Sequence, residues 1–583
     1  MLAAVVAFAS CTMDFYRSDQ MTAGGFKSDP GAAIYSTDGN YAMFKEELEF
    51  GMTDRGGFAR IYWLMTELRG DNVGLFNRTS DPLYGCNIYG DTDRKEDLSY
   101  MWYICYKIIY GCNTNIESLP AGESVDTDHL IGENYFLRAV AHFSLCDLFA
   151  TPYSRGAEKP GIIIRNSTDV SGTPVRATVG EVYAQIESDL KEAMKYMEKG
   201  TRRGNAGYAS YDAARGLLSR LYLYMGKNQE CVDLCNDMLG SDAKSHLDPE
   251  IKTYYARALD SKETLWCIGR SMNDPAYVGS EKGQLSSMYY TSVPGDRGNG
   301  AAGWCEMYWS EPLIDLLLVN PNDARTEYFV PYDQLNDGKK FICVPEIAED
   351  PTSRACVVIR NVDFDENAEV NTFEYQKKTY TVKKKGGKGY PIYYIENFDL
   401  EGVDYAALDE DGIAEGTRCW VRDNIGLNGL SANMPAPMYG MTKFCFQDGL
   451  TALSSPVYIR WAEVILNRAE AQAKLGNTAD ALADVNVIRA RAGIPAWKDM
   501  ADCGTQGYTD ILDVVLDERR LELCFEGFRA LDLYRNGKNL DRRYAGAHTY
   551  EVITPERMDV IYPYCIPYTE TSVSCIPGNG RQN

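Results

Sequence analysis

Two stretches of the sequence combine aromatic rings with planar polar side chains in loops rich in glycine and asparagine. The first stretch contains Arg69, Asp71, Asn72, Tyr84 and Tyr89, and the second contains Tyr289, Tyr290, Trp304, Tyr308 and Trp309. Such rings can stack on the C–H face of a sugar, while the planar polar groups bond to its hydroxyls. Both stretches are therefore candidate sugar-binding regions, although any single ring could instead pack in the core.

The residue types that perform catalysis have no recognisable arrangement. The four histidines, His129, His142, His246 and His548, are not paired at metal-ligand spacing, and His142 is interpreted as a core residue on an apolar helix face. No nucleophile elbow, phosphate loop or dinucleotide fingerprint stands out. We predict no metal and no cofactor. Glycoside hydrolysis needs only two carboxylates about 5 to 9.5 Å apart, so the 83 acidic residues leave that chemistry open.

A dense cluster of charges in residues 517–537 has the spacing of structural ion pairs. Its members are Glu518, Arg519, Arg520, Glu522, Glu526, Arg529, Asp532 and Arg535. Opposite charges three or four residues apart on a helix can pair across one turn. A carboxylate beside several guanidinium groups stays ionised and makes a poor general acid. We interpret the cluster as structural.

Residues 1–11 resemble a bacterial lipoprotein signal. A short apolar run from Leu2 to Ala9 precedes Ser10 and Cys11, which is typical of a signal-peptide core rather than of a membrane span. In this interpretation Cys11 becomes the first mature residue and carries the lipid, and more than one acyl chain gives stable anchoring. The alternative is a buried N-terminal segment in which the cysteine is incidental.

The overall composition is that of an acidic globular protein. Apolar residues make up 45% of the chain, and no stretch after residue 11 reaches the roughly 18 apolar residues of a membrane helix. The formal charge of −24 repels polyanions on average, so we predict no nucleic-acid partner. None of the other sixteen cysteines forms a Cys-x-x-Cys pair, and most are interpreted as small buried hydrophobes. Six of them fall in apolar helical runs: Cys105, Cys112, Cys146, Cys231, Cys235 and Cys524.

The elements that must position the candidate residues are mainly helical hairpins. Residues 469–495 and residues 219–239 follow one scheme, in which small residues on a first helix are followed by Leu-Gly or Met-Gly and by a second helix. Small residues allow antiparallel helices to approach closely, and the glycine can adopt the left-handed conformation that ends the first helix. The arrangement resembles the tetratricopeptide hairpin.

Two further helix pairs are predicted in the N-terminal half. Residues 132–150 pair with residues 178–197, where Thr178 and Glu181 form a capping box. The fourth pair combines residues 41–50 with residues 101–115. Three tryptophans on or beside predicted helices are interpreted as packing residues: Trp102, Trp461 and Trp497.

The middle of the chain differs from both ends. It contains clustered Gly and Pro and short β-prone runs such as residues 340–344 and 356–359. Irregular segments on a rigid frame often carry binding groups.

We therefore predict a mostly α fold in which tetratricopeptide-like hairpins form a frame for an irregular lobe of loops and short strands. The predicted divisions are a signal (1–11), an N-terminal helical region (12–240), a ligand-binding lobe (241–455) and a C-terminal helical region (456–583).

Three blocks together resemble the SusD/RagB family. Residues 458–494, with YIRWAEVILNRAEAQAKLG and ALADVNVIRARAGI, are similar to its Ala-Glu-Val-x-Leu helix and its Asn-x-x-Arg-x-Arg-Ala-Gly ending. Residues 517–537 are similar to its Glu-Arg-Arg-x-Glu-Leu-x-x-Glu-Gly block, and residues 132–153 to its Ala-x-Phe-Leu-Arg-Ala helix. At the C-terminus, Cys565 replaces the first proline of the family's Pro-Ile-Pro-x-x-Glu ending.

The resemblance implies a SusD-like fold and an outer-membrane, nutrient-binding lipoprotein that is not an enzyme. Such a protein is anchored at the cell surface through Cys11, captures an oligo- or polysaccharide and delivers it to a SusC-like TonB-dependent transporter. The helical frame is then the expected docking side for the transporter. The alternatives are a RagB-like protein that captures peptides, a surface glycoside hydrolase, and a helical-repeat scaffold that binds no small ligand.

Overall fold

The computed structural model of the chain is mostly helical, with a small antiparallel sheet lobe. It describes residues 31–46, 57–75, 84–274, 284–290, 306–331, 335–346, 356–386, 389–399, 416–424 and 439–579. Within these ranges, no helix is both long enough and apolar enough to cross a bilayer. The predicted fold class, a helical frame carrying a lobe of strands and loops, is confirmed.

The helices up to the sheet lobe are α1 (Ala32–Met43), α2 (Phe58–Glu67), α3 (Tyr84–Asn87), α4 (Glu96–Ser118), α5 (Val125–Phe149), α6 (Val179–Met197), α7 (Tyr211–Tyr224), α8 (Asn228–Leu239), α9 (Ile251–Tyr254) and α10 (Glu311–Leu318). Those after it are α11 (Trp461–Lys474), α12 (Thr478–Arg491), α13 (Met500–Gly504), α14 (Ile511–Glu522), α15 (Arg529–Arg535), α16 (Pro555–Ile561) and α17 (Tyr568–Ser572).

The strands are β1 (Val73–Leu75), β2 (Thr264–Cys267), β3 (Met307–Trp309), β4 (Phe329–Pro331), β5 (Lys340–Pro345), β6 (Cys356–Val362), β7 (Val370–Tyr375), β8 (Lys378–Gly386), β9 (Pro391–Glu396), β10 (Gly416–Asp423), β11 (Tyr439–Met441), β12 (Val457–Arg460), β13 (Leu540–Asp541) and β14 (Val552–Ile553).

The predicted helical hairpins are present. The hairpin of α7 and α8 turns at Gly226, and that of α11 and α12 turns at Gly476, with φ angles of +72° and +81°. These left-handed angles explain why glycine ends the first helix of each hairpin. α5 and α6 form the third pair, and Thr178 and Glu181 exchange both bonds of the capping box, at 3.2 and 2.8 Å.

The fourth predicted pair needs a correction in its first helix. α1 covers residues 32–43 and packs against α4, whereas the prediction placed this helix at residues 41–50, of which 47–50 lie outside the described residues. The amides of Phe44 and Lys45 donate to the carbonyls of Tyr41 and Ala42 in tight turns that end the helix. Its partner, α4, contains the predicted residues 101–115.

The core runs through the helical frame. α4 and α5 bury residues such as Met101, Ile108, Phe136 and Phe143 at 0% exposure. Trp102 packs against Phe149 with ring centroids 5.2 Å apart, as expected for a packing residue. Among the cysteines in the described part of the chain, all but Cys575 are buried, which confirms their interpretation as small hydrophobes.

The middle region forms one six-stranded antiparallel sheet with the order β6-β5-β10-β9-β8-β7. The two β-prone runs predicted from the sequence are β5 and β6 at one edge of this sheet. One face of the sheet buries a cluster that includes Ile342, Phe373, Val382 and Ile395. Six strands of the middle region are therefore joined into a single layer, whereas β2, β3, β4 and β11 belong to separate two-stranded sheets.

Candidate functional site

The two candidate stretches, which are far apart in sequence, meet in space. β1 pairs with β3 in antiparallel register, with Val73 opposite Trp309 and Leu75 opposite Met307. Ser310 extends this pairing, since its amide donates to the carbonyl of Asn72 at 2.9 Å and its hydroxyl donates to the carbonyl of Asp71 at 2.5 Å. We call β1, β3 and the adjoining residues 67–72 and 84–91 the β1–β3 junction.

Asp71 is held in the junction by two arginines from the C-terminal region. Its carboxylate accepts from Arg529 Nε at 2.8 Å and lies 3.3 Å from Arg520 Nη2. Burial opposes ionisation of this group, but Arg520 and Arg529 hold the pKa of Asp71 below its ordinary value. Asp71 is therefore an ionised link between the two ends of the chain.

Asn72 is bonded on both sides of its amide group. Its Nδ2 donates to Glu67 Oε1 at 2.9 Å, and its Oδ1 accepts from Arg520 Nε at 2.9 Å. The other oxygen of Glu67 accepts from the amide of Gly527 at 2.9 Å. Burial raises the pKa of Glu67 to about 7. The side chain of Asn72 thus has its hydrogen-bonding groups directed at the protein.

Tyr84 and His548 lock the end of β1. His548 Nε2 lies 2.8 Å from the carbonyl of Leu75, which can only accept, so this nitrogen carries the hydrogen. Burial lowers the pKa of His548 to about 4, so the ring is neutral and Nδ1 accepts from the Tyr84 hydroxyl at 3.1 Å. This order of donors and acceptors fixes the tautomer of His548.

Tyr89 is half-buried beside Arg69. Its hydroxyl donates to the carbonyl of Arg69 at 2.6 Å. The Arg69 guanidinium pairs with Asp91 at 2.7 Å and lies over the ring of Tyr564 at 3.2 Å from its centroid. The loop after α2 is therefore tied to α3 and to the C-terminal segment, and part of the Tyr89 ring stays at the surface.

The aromatic residues of the second stretch lie mainly in the core. Trp309 is 1% exposed and Tyr289 is 0% exposed, and both rings contact Phe525, at centroid distances of 5.0 and 5.3 Å. Tyr308 is also buried. Tyr290 is half-buried and meets Phe446 edge-on at 5.6 Å. Only Tyr290 of these four keeps part of its side chain at the surface.

Two predicted functional residues, Trp304 and Cys11, lie outside the described residues. Of the others, five are buried and bonded or packed within the protein: Asp71, Asn72, Tyr84, Tyr289 and Trp309. Their side chains present little surface to a ligand in this structure, which revises their assignment as direct ligand contacts. Tyr89 and Tyr290 remain partly exposed.

The charged cluster of residues 517–537 is structural, as predicted. Arg460 contacts Glu522 at 2.6 Å and Glu526 at 2.9 Å, and Arg519 contacts Asp532 at 3.0 Å. Burial opposes the charge on Glu522, but Arg491 and Arg460 hold its pKa well below the ordinary range. A carboxylate held ionised in this way, such as Glu522, makes a poor general acid near neutral pH. Across the described ranges, no group of three or more His, Cys, Asp or Glu residues could hold a metal ion.

A cavity on the helical frame was not predicted from the sequence. A cavity of about 610 Å³ runs along one face of α4. We call it the α4 groove and define it by Trp102, Tyr103, Tyr106, Tyr110, Arg165 and Glu570. The spacing of Tyr103, Tyr106 and Tyr110 on one helix face is visible in the sequence, but the walls come from distant segments.

Comparisons with known proteins agree with this architecture. The profile of the SusD family matches residues 277–570, and a profile described as starch-binding and associating with the outer membrane matches residues 66–223. The SusD-like protein P38 of Formosa agariphila is 34% identical over 498 residues, covering 83% of this chain and 80% of that protein.

Solved structures agree over nearly the whole chain. A SusD superfamily protein of Bacteroides thetaiotaomicron superposes with a TM-score of 0.64 at 20% identity, covering 94% of this chain and 99% of that one. A laminarin-binding SusD-like protein superposes with a TM-score of 0.58 at 19% identity, with the same coverage of 94% and 99%. These likenesses establish a shared fold.

Proposed function

Because the chain belongs to the SusD family, a family of non-catalytic binding proteins, we propose that it captures an oligo- or polysaccharide at the cell surface. The captured glycan passes to a SusC-like TonB-dependent transporter, which docks on the helical frame. The observation that carries the proposal is the pairing of β1 with β3. It joins residues 73–75 to residues 307–309, which supports a single site to which both candidate stretches contribute.

Within this site the residues have two roles. Five buried residues hold the junction in place, and we call them the junction frame: Asp71, Asn72, Tyr84, Tyr289 and Trp309. The contacts to the glycan come from partly exposed rings, Tyr89 and Tyr290, and from Trp304. Because the side chains of the junction frame are already paired, little free energy is spent on ordering them when a ligand binds. This supports the division into two roles.

The glycan is neutral and binds weakly at each contact. The charge of −24 disfavours polyanionic polysaccharides. One stacked ring contributes about 0.5 to 1.5 kcal/mol beyond its buried area, whereas even a millimolar affinity corresponds to roughly 4 kcal/mol. Multivalent contact with a long polysaccharide raises the effective affinity and still allows release. Laminarin is a suitable first probe, since a protein of the same fold is named as laminarin-binding.

The lipid anchor is Cys11, and the protein is held at the outer membrane. The match to a profile described as outer-membrane-associating supports this location. Replacing Cys11 with Ser removes the thiol that takes the lipid, so the protein should move from the membrane fraction to the aqueous fraction and lose incorporation of labelled palmitate. Retention of both membrane association and label by this variant would overturn the assignment.

Affinity electrophoresis on a panel of polysaccharides tests glycan capture, with a reducing-sugar assay run on the same mixtures. Retardation without new reducing ends is expected, and Trp304→Ala and Tyr290→Ala should weaken it. Trp309 is a poor probe of binding because its substitution opens the core. New reducing ends would contradict the non-catalytic role, and no retardation on any glycan would direct the search to peptide cargo.

A further inference from the structure

The floor of the α4 groove is a row of aromatic rings on one helix. α4 buries its opposite face in the core and leaves Tyr103 and Tyr110 at 42% and 53% exposure. Residues three, four and seven positions apart share a helix face, so Tyr106 and Lys107 lie between these two rings. Exposed tyrosines in a row offer several ring faces to one extended ligand.

Hydrogen bonds from α4 fix the first wall of the groove. The Tyr106 hydroxyl donates to the carbonyl of Ile163 at 2.9 Å. About two turns further along α4, Asn113 Nδ2 donates to the carbonyl of Ser167 at 2.9 Å. The segment between these two contacts is therefore held parallel to the helix and does not need to be ordered by a ligand.

The second wall is formed by the C-terminal segment and is fixed at both ends. The amide of Tyr568 donates to the carbonyl of Asp93 at 2.8 Å, and Arg94 lies over the Tyr568 ring at 4.1 Å. At the other end, Arg176 Nη1 donates to the carbonyl of Pro577 at 3.0 Å. The groove is thus a preformed feature of the fold.

Two charged side chains at the groove are available to a ligand. Arg165 and Glu570 both line the cavity and are half-buried. Neither forms an ion pair with any residue that the structure describes. This contrasts with the charged residues of the junction, where Asp71 is shared between two arginines. A guanidinium and a carboxylate beside exposed rings supply both donors and acceptors for hydroxyl groups.

We propose that the α4 groove is a second carbohydrate-binding site, which takes a short run of neutral sugar units. Tyr103 and Tyr110 stack on the sugar rings, and Arg165 and Glu570 bond to their hydroxyls. The volume of about 610 Å³ falls within the range of about 300 to 1,000 Å³ common for ligand pockets. The proposal rests on the proposed function for the class of ligand, but its residues are separate from those of the junction.

A saccharide suits this groove better than a protein partner does. Glutamate and lysine are depleted at protein interfaces, whereas the lining of this cavity includes Glu570 together with Arg165. The opposite signs of these two groups also favour a neutral ligand over a charged one. A second site of this kind would hold a neighbouring part of the same polysaccharide and raise its effective affinity.

Hydroxyl-radical footprinting of the full chain tests the proposal. The oxidation of Tyr103 and Tyr110 is measured by mass spectrometry with and without oligosaccharides from laminarin, starch, mannan and xylan. Protection of both tyrosines by at least one oligosaccharide is expected, because stacking covers the exposed ring faces. Affinity electrophoresis on the parent polysaccharides reports binding to the whole protein.

Matched variants separate ring stacking from other effects. Tyr103→Ala and Tyr110→Ala should each weaken binding roughly two- to tenfold, since each removes one stacking platform. Tyr103→Phe and Tyr110→Phe keep the ring and should retain most of the binding. Tyr35→Ala, at a tyrosine on α1 that is 67% exposed, is the control and should bind as the parent protein does.

The outcomes distinguish this proposal from the proposed function. Binding of an oligosaccharide without protection of Tyr103 and Tyr110 overturns the second site and leaves glycan capture intact. Binding to none of the glycans overturns both. Protection of these tyrosines only in a complex with the transporter, and never by an oligosaccharide, overturns the proposal in favour of a protein interface.

Discussion

The β1–β3 junction and the α4 groove are made of the same residue types in opposite states of exposure. At the junction, Trp309 is 1% exposed and Asp71 contacts two arginines. In the groove, Tyr110 is 53% exposed, and Arg165 has no ion-pair partner among the described residues. Aromatic rings beside planar polar groups therefore indicate either a packed frame or a ligand surface, and the exposure of the ring faces distinguishes the two.

This difference separates two kinds of experimental response. A substitution in the junction frame removes contacts that the folded protein already makes, so it should lower the free energy of unfolding. A substitution in the groove removes contacts that only a ligand would make, so it should leave unfolding nearly unchanged. Three substitutions and one control variant test this contrast.

The largest effect is expected for Asp71→Ala. The substitution leaves the guanidinium groups of Arg520 and Arg529 buried without their shared carboxylate, and breaking a buried pair costs about 3 to 5 kcal/mol. The midpoint of urea-induced unfolding should fall accordingly.

The control for that variant is Asp363→Ala. The Asp363 side chain is 87% exposed and pairs with Lys339 at 2.8 Å on the surface. Exposed pairs contribute about 0 to 1 kcal/mol, so this variant should unfold much as the parent protein does. If Asp71→Ala and Asp363→Ala lowered the free energy of unfolding equally, the junction would not differ from the surface in its contribution to stability.

An intermediate effect is expected from pH through His548. Burial lowers its folded-state pKa from 6.5 to about 4, so the unfolded chain takes up a proton between these values and the folded protein does not. The contribution of the neutral ring to the free energy of unfolding is therefore complete above pH 6.5. It is lost as the pH falls towards 4, and the total change in the free energy of unfolding is about 3 kcal/mol.

His548→Asn should remove this part of the acid sensitivity. Asparagine tolerates the left-handed backbone at this position, where φ is +57°. Unfolding free energies measured in urea at pH 7 and at pH 4.5 should differ less in the variant than in the parent protein. An unchanged difference would show that the Tyr84–His548 contact does not control the stability of the junction.

The smallest effect on stability is expected for Arg165→Gln in the groove. Because its guanidinium makes no ion pair with a described residue, the unfolding free energy should change by no more than about 0.5 kcal/mol. Retardation by the glycan that protects Tyr103 and Tyr110 should nevertheless weaken. A large loss of stability would place Arg165 with the frame and remove the contrast between the two regions.

The helical frame could be predicted from the sequence because its signals are local. Gly226 and Gly476 mark the ends of first helices, and Thr178 and Glu181 mark the start of another. Each of these signals depends on residues within one or two helical turns. The charge density of residues 517–537 also indicates structural ion pairs, but it does not identify distant partners such as Arg460 and Asp71.

The arrangement of the candidate site could not be predicted in this way. β1 and β3 have three residues each, too few for an alternating pattern, and their pairing joins residues more than two hundred positions apart. Trp309 also packs against Phe525, which lies more than two hundred positions away in the chain. Residue type alone indicated these regions, but long-range packing decides which ring faces are open.

The link between Asp71 and Arg529 also constrains when the protein can fold. The two residues are 458 positions apart, so during synthesis the N-terminal helices are made long before their charge partners exist. Until then, α2 and the start of β1 would have to bury Asp71 without its arginines, which is unfavourable. Completion of the core therefore waits for the last part of the chain, so most of the protein is synthesised before its N-terminal helices can pack fully.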